Sequence, residues 1–310
     1  MLTLGIDTSN YTSSAAAYNG RDVIQRKLLL PVKPGEKGLR QSDAVFHHTV
    51  RLHPLVEEIF EELNGQRISA LGVSSRPRDA EGSYMPCFCV GVSAARCVAA
   101  ALGVPVYSFS HQSCHLAAAL YSAGRLDLIK EKFIAFHISG GTTEMLFVTP
   151  DKDNIFSVKI IGETLDLNAG QAVDRAGLML GLDFPCGAQL EKLALMSKKT
   201  FAPRVSVKNG SCSLSGLENK CRDMINGGEN KEDTARFCLD FIIASLDKMT
   251  AFALKEYGDL PLLYAGGVMS NTIIRDYFQQ KYGAFFAKPE FSCDNAAGVA
   301  VLAYERSRGL

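Results

Sequence analysis

Short apolar segments alternate with helical patterns along the first third of the chain, which predicts a mixed α/β unit. Its expected order is strand, strand, strand, helix, strand, helix, strand, at residues 2–7, 13–18, 23–30, 42–63, 68–73, 91–102 and 104–107. Pro54 lies inside the predicted long helix, and we expect it to break that helix in two because proline lacks the backbone N–H donor.

The same order of patterns returns in the rest of the chain. Strands are predicted at 133–137, 143–148, 156–161, 262–265 and 284–286, and helices at 168–180, 188–197, 214–226, 232–257, 270–281 and 294–307. The repetition predicts a duplicated α/β fold of two lobes, with the ligand in the cleft between them. We expect one lobe at 1–110 plus 290–310 and the other at 111–289.

Composition narrows the class of protein. The chain of 310 residues is 47% hydrophobic and 21% charged, which is typical of globular proteins. Its formal net charge is zero, so an RNA partner would need locally clustered basic residues or another subunit. We expect no signal peptide and no membrane span, and nine scattered cysteines indicate reduced thiols and a cytoplasmic location.

The segment from 111 to 141 concentrates the candidate chemistry. His111 and His115 are four residues apart, so on a helix both imidazoles share one face, as in many metal sites. After the strand at 133–137 comes Ser139-Gly140-Gly141, a small-residue turn that brings backbone N–H groups close to an anion. Chance spacing of the histidines and an ordinary tight turn remain the alternatives.

Seven motifs occur in one order and together resemble the TsaD family of tRNA threonylcarbamoyladenosine synthases, once called glycoproteases. The resemblance covers nearly the whole chain. The motifs are His111-x-x-x-His115, Ser139-Gly140-Gly141-Thr142-Thr143-Glu144, Gly162-Glu163-Thr164-Leu165-Asp166 with Ala169 to Arg175, Leu180 to Gly187, Ser213-Leu214-Ser215-Gly216-Leu217, Gly266-Gly267-Val268-x-x-Asn271 and Asp294-Asn295-Ala296-Ala297.

This resemblance implies an actin-like, sugar-kinase-like fold. It also implies transfer of a threonylcarbamoyl group from its adenylate to an adenosine beside the tRNA anticodon. The expected partners are tRNA, a smaller paralogous subunit and an ATPase. ATP or an acyl-adenylate would be the bound nucleotide.

The resemblance further implies a metal site. His111, His115 and Asp294 match the family's ligands, and two nitrogens with one carboxylate suit iron, zinc or manganese. Asp294 is alternatively the N-cap of the last helix. His137 is either a fourth ligand, where archaeal and eukaryotic relatives carry tyrosine, or simply a histidine at a strand end.

The implied nucleotide site lies elsewhere in the sequence. Its residues are His137, Ile138, Ser139, Gly140, Gly141, Asp174, Gly187, Glu191, Gly266, Gly267 and Asn271. Carboxylates accept hydrogen bonds from a ribose diol, and glycines let the backbone pass close to adenine. The structural alternatives are a solvated helix face for the two acids and a tight turn for Gly266-Gly267.

Several segments depart from the family pattern. The acidic pair after the first strand is absent from Thr8–Ser13, and Arg76–Gly82 replaces a Gly-Pro-Gly loop. His-Leu-Glu-x-His becomes His-Gln-Ser-Cys-His, and carboxylates are lost from 166–171. These departures favour a diverged paralogue with another acceptor. A further alternative, from a different class, is a nucleotide-binding, non-catalytic subunit of the modification complex. A metalloprotease is disfavoured, because the Glu of His-Glu-x-x-His is absent.

Overall fold

The computed structural model describes residues 1–9, 11–31, 39–292 and 295–309. The chain divides into two compact units. The first consists of Met1–Glu131, Pro150–Ser157 and Glu290–Leu310, and the second of Lys132–Thr149 and Val158–Pro289. Residues 111–131 therefore belong to the first unit, whereas the sequence analysis assigned them to the second lobe.

Each unit is built around a five-stranded sheet. The strands of the first are β1 (Thr3–Asp7), β2 (Thr12–Tyr18), β3 (Val23–Leu29), β4 (Ala70–Arg76) and β5 (Val106–Ser110). Their order is β3-β2-β1-β4-β5, with the first three antiparallel and the last three parallel. Every residue of β2 is buried, and its small side chains allow helices to pack closely on both faces.

The helices of the first unit are α1 (Gln41–Leu63), α2 (Phe88–Leu102), α3 (His111–Ser122) and, at the end of the chain, α9 (Ala297–Ser307). The predicted break at Pro54 is wrong, because α1 continues through it. The proline removes one backbone hydrogen bond, whereas the buried stripe of Leu52, Leu55 and Ile59 packs along the whole helix.

The second unit repeats the strand order of the first. Its strands are β6 (Phe133–Ile138), β7 (Thr143–Asp151), β8 (Ile155–Glu163), β11 (Leu262–Ala265) and β12 (Phe285–Phe286), with a small hairpin of β9 (Ser206–Lys208) and β10 (Ser211–Ser213). The end of β7 and the start of β8, within Pro150–Ser157, belong to the first unit. The sheet order β12-β11-β6-β7-β8 matches that of the first unit read from the opposite edge. The predicted duplication of the fold is confirmed.

Helices of the second unit pack against its sheet and one another. They are α4 (Ala169–Met179), α5 (Gly187–Met196), α6 (Ser215–Asn226), α7 (Lys231–Tyr257) and α8 (Thr272–Tyr282). Buried residues of all five helices share one core with β6 and β11. Within the residues that the structure describes, no helix combines the length and apolar content needed to cross a membrane.

A glycine in α9 allows that helix to lie directly on α3. A Cβ atom at Gly298 would collide with the carbonyl oxygen of Cys114 and would approach the backbone nitrogen of Ala118 to 2.9 Å. Because both obstacles are backbone atoms, they cannot rotate away. This contact explains why α3 belongs to the first unit together with the end of the chain.

Gly298→Ala is expected to destabilise the protein by about 1–3 kcal/mol, because overpacking forces two helices apart. The free energy of unfolding in urea measures the effect. Gly216→Ala in α6 is the control, since a Cβ there meets nothing within 4 Å and alanine favours a helix. Equal stability of Gly298→Ala and wild type would contradict the close contact.

Candidate functional site

The helix α3 brings the two predicted metal-binding histidines together. It starts directly after β5, where Ser110 is the N-cap and accepts a 3.2 Å hydrogen bond from Ser113 N. His111 is the first helical residue, and His115 lies one turn later. Their Nε2 atoms are 2.9 Å apart. Both rings therefore present the same nitrogen to one point.

A buried carboxylate lies behind this pair. Asp7 ends β1 and is fully buried, and its Oδ2 lies 3.3 Å from His111 Nδ1. The Asp7 carboxylate also accepts hydrogen bonds from the backbone N and the hydroxyl of Ser9, at 3.1 and 2.9 Å. The 3.3 Å contact does not have hydrogen-bond geometry, but a carboxylate this close to Nδ1 favours the imidazole tautomer that carries its proton there and leaves Nε2 for a metal. Asp7 was not among the residues predicted from sequence, although a charged residue at the end of a buried strand was a usable signal.

The histidine pair fits half of a metal site. The two Nε2 atoms share a hydrogen bond at 2.9 Å, and this spacing also agrees with the roughly 3 Å between adjacent ligand atoms that metal–nitrogen bonds of about 2.0–2.1 Å produce. No cluster of three or more potential His, Cys, Asp or Glu ligands is found among residues 1–9, 11–31, 39–292 and 295–309. The predicted third ligand, Asp294, lies outside the described residues, so its role as ligand or N-cap stays a prediction.

The thiol between the two histidines does not supply a further ligand. Cys114 is buried, and this burial raises the pKa of its thiol well above the ordinary range. The negative charges of Asp7 and Asp79 act in the same direction. Cys114 is a small buried residue of the first unit, and its backbone carbonyl lies against Gly298 of α9.

His137 belongs to the second unit. It lies in β6, where its backbone neighbours are Glu144 of β7 and Ala265 of β11. Its side chain is half-buried. A role as a fourth metal ligand stays a prediction.

The predicted phosphate loop is a tight turn held by its own serine. Ser139 N donates to Thr142 O at 2.7 Å, and Ser139 Oγ accepts from the backbone N of Gly141 and Thr142 at 3.3 and 3.1 Å. A Cβ at Gly140 or Gly141 would meet nothing within 4 Å. The loop thus faces open space in its own unit, which leaves room for a ligand beside it.

Two other segments of the second unit approach this loop. The first turn of α4 touches it, because Gly170 N donates to Ser139 O at 3.1 Å. Gly266, at the end of β11, has a φ of +103° and packs against Ile138, whose carbonyl oxygen a Cβ would strike. Gly266 therefore allows the ends of β11 and β6 to approach each other closely. This agrees with the alternative from sequence, in which Gly266-Gly267 forms a tight turn. Gly267 has open space around its Cα.

The polar residues predicted to bind the nucleoside also cap helices. Asp174 Oδ1 accepts from Cys186 N at 2.9 Å, just before α5 begins at Gly187. Glu191 Oε1 accepts from the backbone N and hydroxyl of Thr272 at 2.7 and 2.5 Å. Asn271 is the N-cap of α8. Asp174 and Glu191 each use one carboxylate oxygen to accept hydrogen bonds at a helix start. The alternative that both acids merely lie on a solvated helix face therefore describes only part of their role.

Asp166 ties together two of the recognised motifs. Its carboxylate accepts hydrogen bonds from Leu214 N at 2.7 Å and from Ser215 Oγ at 2.6 Å, at the start of α6. Burial, the largest single influence, raises its pKa, but the hydrogen bonds from Ser215, Leu214 and Leu167 together outweigh burial and lower the pKa. Asp166, the carboxylate that the altered segment 166–171 retains, thus stabilises the start of α6.

A shallow cavity of about 610 Å³ lies on the first unit, away from the residues just described. It is lined by Ser75, Cys89, Val92, Ser93, Arg96, Cys97 and Ser108. None of the predicted site residues lines it.

Asp166→Asn is expected to make the free energy of unfolding depend less on pH in the acid range. Because the folded-state pKa is lowered, the wild-type carboxylate stabilises the fold above the unfolded value of about 4. That contribution disappears as pH falls from about 4 through the lower folded-state pKa. Urea midpoints from pH 7 to pH 3 should therefore fall more steeply for wild type than for Asp166→Asn. Asp223→Asn, an exposed change on α6, should retain the wild-type slope, and a matching slope in Asp166→Asn would contradict the cap.

Structural comparison places the fold among known two-lobe α/β proteins. Component A of (R)-2-hydroxyglutaryl-CoA dehydratase from Acidaminococcus fermentans has a TM-score of 0.54 at 15% identity, covering 99% of both chains. Full-length HypF, in a phosphate- and nucleotide-bound form, has a TM-score of 0.63 at 12% identity and covers 99% of this chain and 55% of its own. An ROK hexokinase from Thermus thermophilus has a TM-score of 0.50 at 16% identity, covering 99% of each. At such identities these similarities establish the actin-like fold alone.

The sequence comparison identifies the family. The profile of TsaD, described as tRNA N6-adenosine threonylcarbamoyltransferase, matches residues 33–301. This range includes the histidine pair, the Ser139 loop and the segment before α9. The chain therefore belongs to the TsaD family.

Proposed function

We propose that this protein transfers a threonylcarbamoyl group from threonylcarbamoyl-adenylate to the exocyclic nitrogen of an adenosine beside the tRNA anticodon. The adenosine nitrogen attacks the carbamoyl carbonyl, the bond to the phosphate of AMP breaks, and the nitrogen loses one proton. Membership of the TsaD family supports this reaction class. The observation that carries the proposal is the convergence of His111 and His115 at 2.9 Å in front of a buried aspartate.

The proposed metal ligands are His111, His115 and Asp294, with His137 as a candidate fourth. A bound iron, zinc or manganese ion would supply Lewis acidity toward the carbamoyl carbonyl. The protein's own contribution is to hold both imidazoles in one orientation. Asp7 does this for His111 through Nδ1, while α9 supports α3 at Gly298.

The proposed nucleotide site is in the second unit. The backbone of the Ser139 loop would face phosphate, and the second carboxylate oxygens of Asp174 and Glu191 would accept from the ribose hydroxyls. The fixed orientation of both acids, each held through one oxygen, favours this role. Among proteins of this fold, HypF has been solved in a phosphate- and nucleotide-bound form.

The proposal includes partners. From the family resemblance we infer that a smaller paralogous subunit and an ATPase complete the working complex in the cytoplasm. A chain with zero net charge has no general attraction for tRNA. Basic residues for the RNA would then be local or would come from those subunits.

A second candidate is a paralogue that carbamoylates another acceptor. It is favoured by the loop after β1, where the family's acidic pair is absent. Thr8 is fully buried there, donating to Cys87 O at 2.9 Å and accepting from Gly91 N at 3.0 Å. Ser13 Oγ lies 2.8 Å from His48 Nδ1. These side chains serve the packing of the first unit, so this segment offers no carboxylate to an acceptor amine.

The reaction is tested by mixing purified protein with threonylcarbamoyl-adenylate and unmodified tRNA, with and without partner subunits, and measuring nucleosides by mass spectrometry. Threonylcarbamoyladenosine is expected, with a loss of roughly 100-fold or more in His111→Ala, His115→Ala and Asp294→Ala. His53→Ala, at an exposed histidine of α1, is the control.

The outcomes separate the candidates. Full activity in both His111→Ala and His115→Ala would contradict the metal site. Adenylate binding without any nucleoside product would favour the paralogue with another acceptor. Failure to bind an adenine nucleotide, together with stable association with a partner subunit, would favour a non-catalytic scaffold subunit over a nucleotide-binding one.

Asp7→Asn is expected to weaken metal binding about 10–100-fold, because the amide no longer fixes the His111 tautomer as a carboxylate does. Cobalt(II) titration monitored by visible absorption measures the affinity. Asp22→Asn, which is exposed in the loop before β3, is the control. Wild-type cobalt affinity in Asp7→Asn would exclude a role for Asp7 in orienting His111.

A further inference from the structure

The helix that carries the histidine pair begins without an acidic residue of its own. In a capping box, a serine at the N-cap is followed three residues later by a glutamate or glutamine, which completes the cap. Here the N-cap is Ser110, but the third helical residue is Ser113, and the first turn of α3 contains no acid. Both serines are buried, so their hydroxyl groups need partners inside the protein.

A carboxylate from another segment contacts this helix start, through the two serine hydroxyls rather than through the N-cap backbone N–H that a capping-box glutamate binds. Asp79 belongs to the loop between β4 and α2, and its Oδ2 accepts from Ser110 Oγ at 2.5 Å and from Ser113 Oγ at 3.0 Å. Ser110 and Ser113 thus share one acceptor at the helix start. A negative charge here also interacts favourably with the positive end of the helix dipole.

The loop that carries Asp79 is itself held in place. Asp79 Oδ1 accepts from Arg76 Nε and Nη2 at 3.0 and 2.5 Å, and Arg76 Nη2 lies 3.2 Å from Asn154 Oδ1. The loop also accepts a backbone hydrogen bond, from Gln112 N to Pro77 O at 3.1 Å. Side-chain and backbone contacts therefore connect the Arg76–Gly82 segment to the first turn of α3.

We propose that Asp79 is a positioning residue that completes the cap of α3 and thereby sets the orientation of His111 and His115. His111 is the first residue of the helix, so a shift of the cap moves its imidazole directly. The consequence for metal binding rests on the proposed function, whereas the cap itself does not. Asp79 and Ser113 lie in two different altered segments, and the hydrogen bond between their side chains joins these segments.

An exchange of the two side chains tests this proposal. The variants are Asp79→Ser, Ser113→Glu and the double variant, which returns the carboxylate to the helix. Glu81→Ser removes an exposed acid from the same loop as the control. Each protein is titrated with cobalt(II), the visible spectrum of the complex is recorded, and unfolding in urea is measured in parallel without metal.

Asp79→Ser is expected to weaken cobalt binding about 10–100-fold and to alter the spectrum, as loss of an orienting residue does. Ser113→Glu alone should lower the urea midpoint, because the new carboxylate and that of Asp79 would bring two negative charges together at the buried start of α3. The double variant should recover the wild-type spectrum and bind within about threefold of wild type, so the two changes are strongly non-additive. Glu81→Ser should match wild type.

Wild-type affinity and spectrum in Asp79→Ser would overturn the proposal. Strictly additive effects on both cobalt affinity and the urea midpoint would overturn it as well. If wild-type protein binds no cobalt, the proposed metal site and the positioning of its ligands both fail. The urea measurements then report the cap alone, so the two failures are distinguished.

Discussion

The direct contact of two helix backbones is the constraint on which the arrangement of the first unit depends. Gly298 allows α9 to rest on the carbonyl of Cys114, within the same turn of α3 that carries both histidines. Close packing of this kind transmits small shifts, because interiors have little free volume. The segment preceding α9 contains the predicted ligand Asp294. Gly298 and Cys114, far apart in sequence, are thereby held against each other.

Helix capping recurs at predicted site residues of the second unit and at Asp79 of the first. Asp174, Glu191 and Asn271 in the second unit each accept a hydrogen bond from a helix start, and Asp79 does so in the first. A carboxylate held through one oxygen has lost most of its rotational freedom before a ligand arrives. Structural and binding roles are therefore compatible in these residues, and the two interpretations from sequence need not exclude each other.

The sequence predicted the elements well because their periodicities are strong. The strand order of both sheets follows from two similar series of apolar segments, and α7 was predicted to within one residue. The effect of Pro54 on α1 was misjudged. Burial of the apolar stripe of this helix, which ends at Leu63, stabilises it more than the one missing backbone hydrogen bond destabilises it. The end of the first unit was placed too early, since the contact between Gly298 and Cys114 joins residues far apart in sequence. Asp7 and Asp79 were missed for the same reason: their partners on α3 are distant along the chain.

The central claim is that His111 and His115 form part of one metal site, and X-ray absorption at the zinc edge of the zinc-loaded protein tests it most directly. The account predicts a first shell that includes two imidazole nitrogens at about 2.0–2.1 Å, reduced to one by either His111→Ala or His115→Ala. A shell without imidazole scattering, or one that both variants leave unchanged, would contradict it.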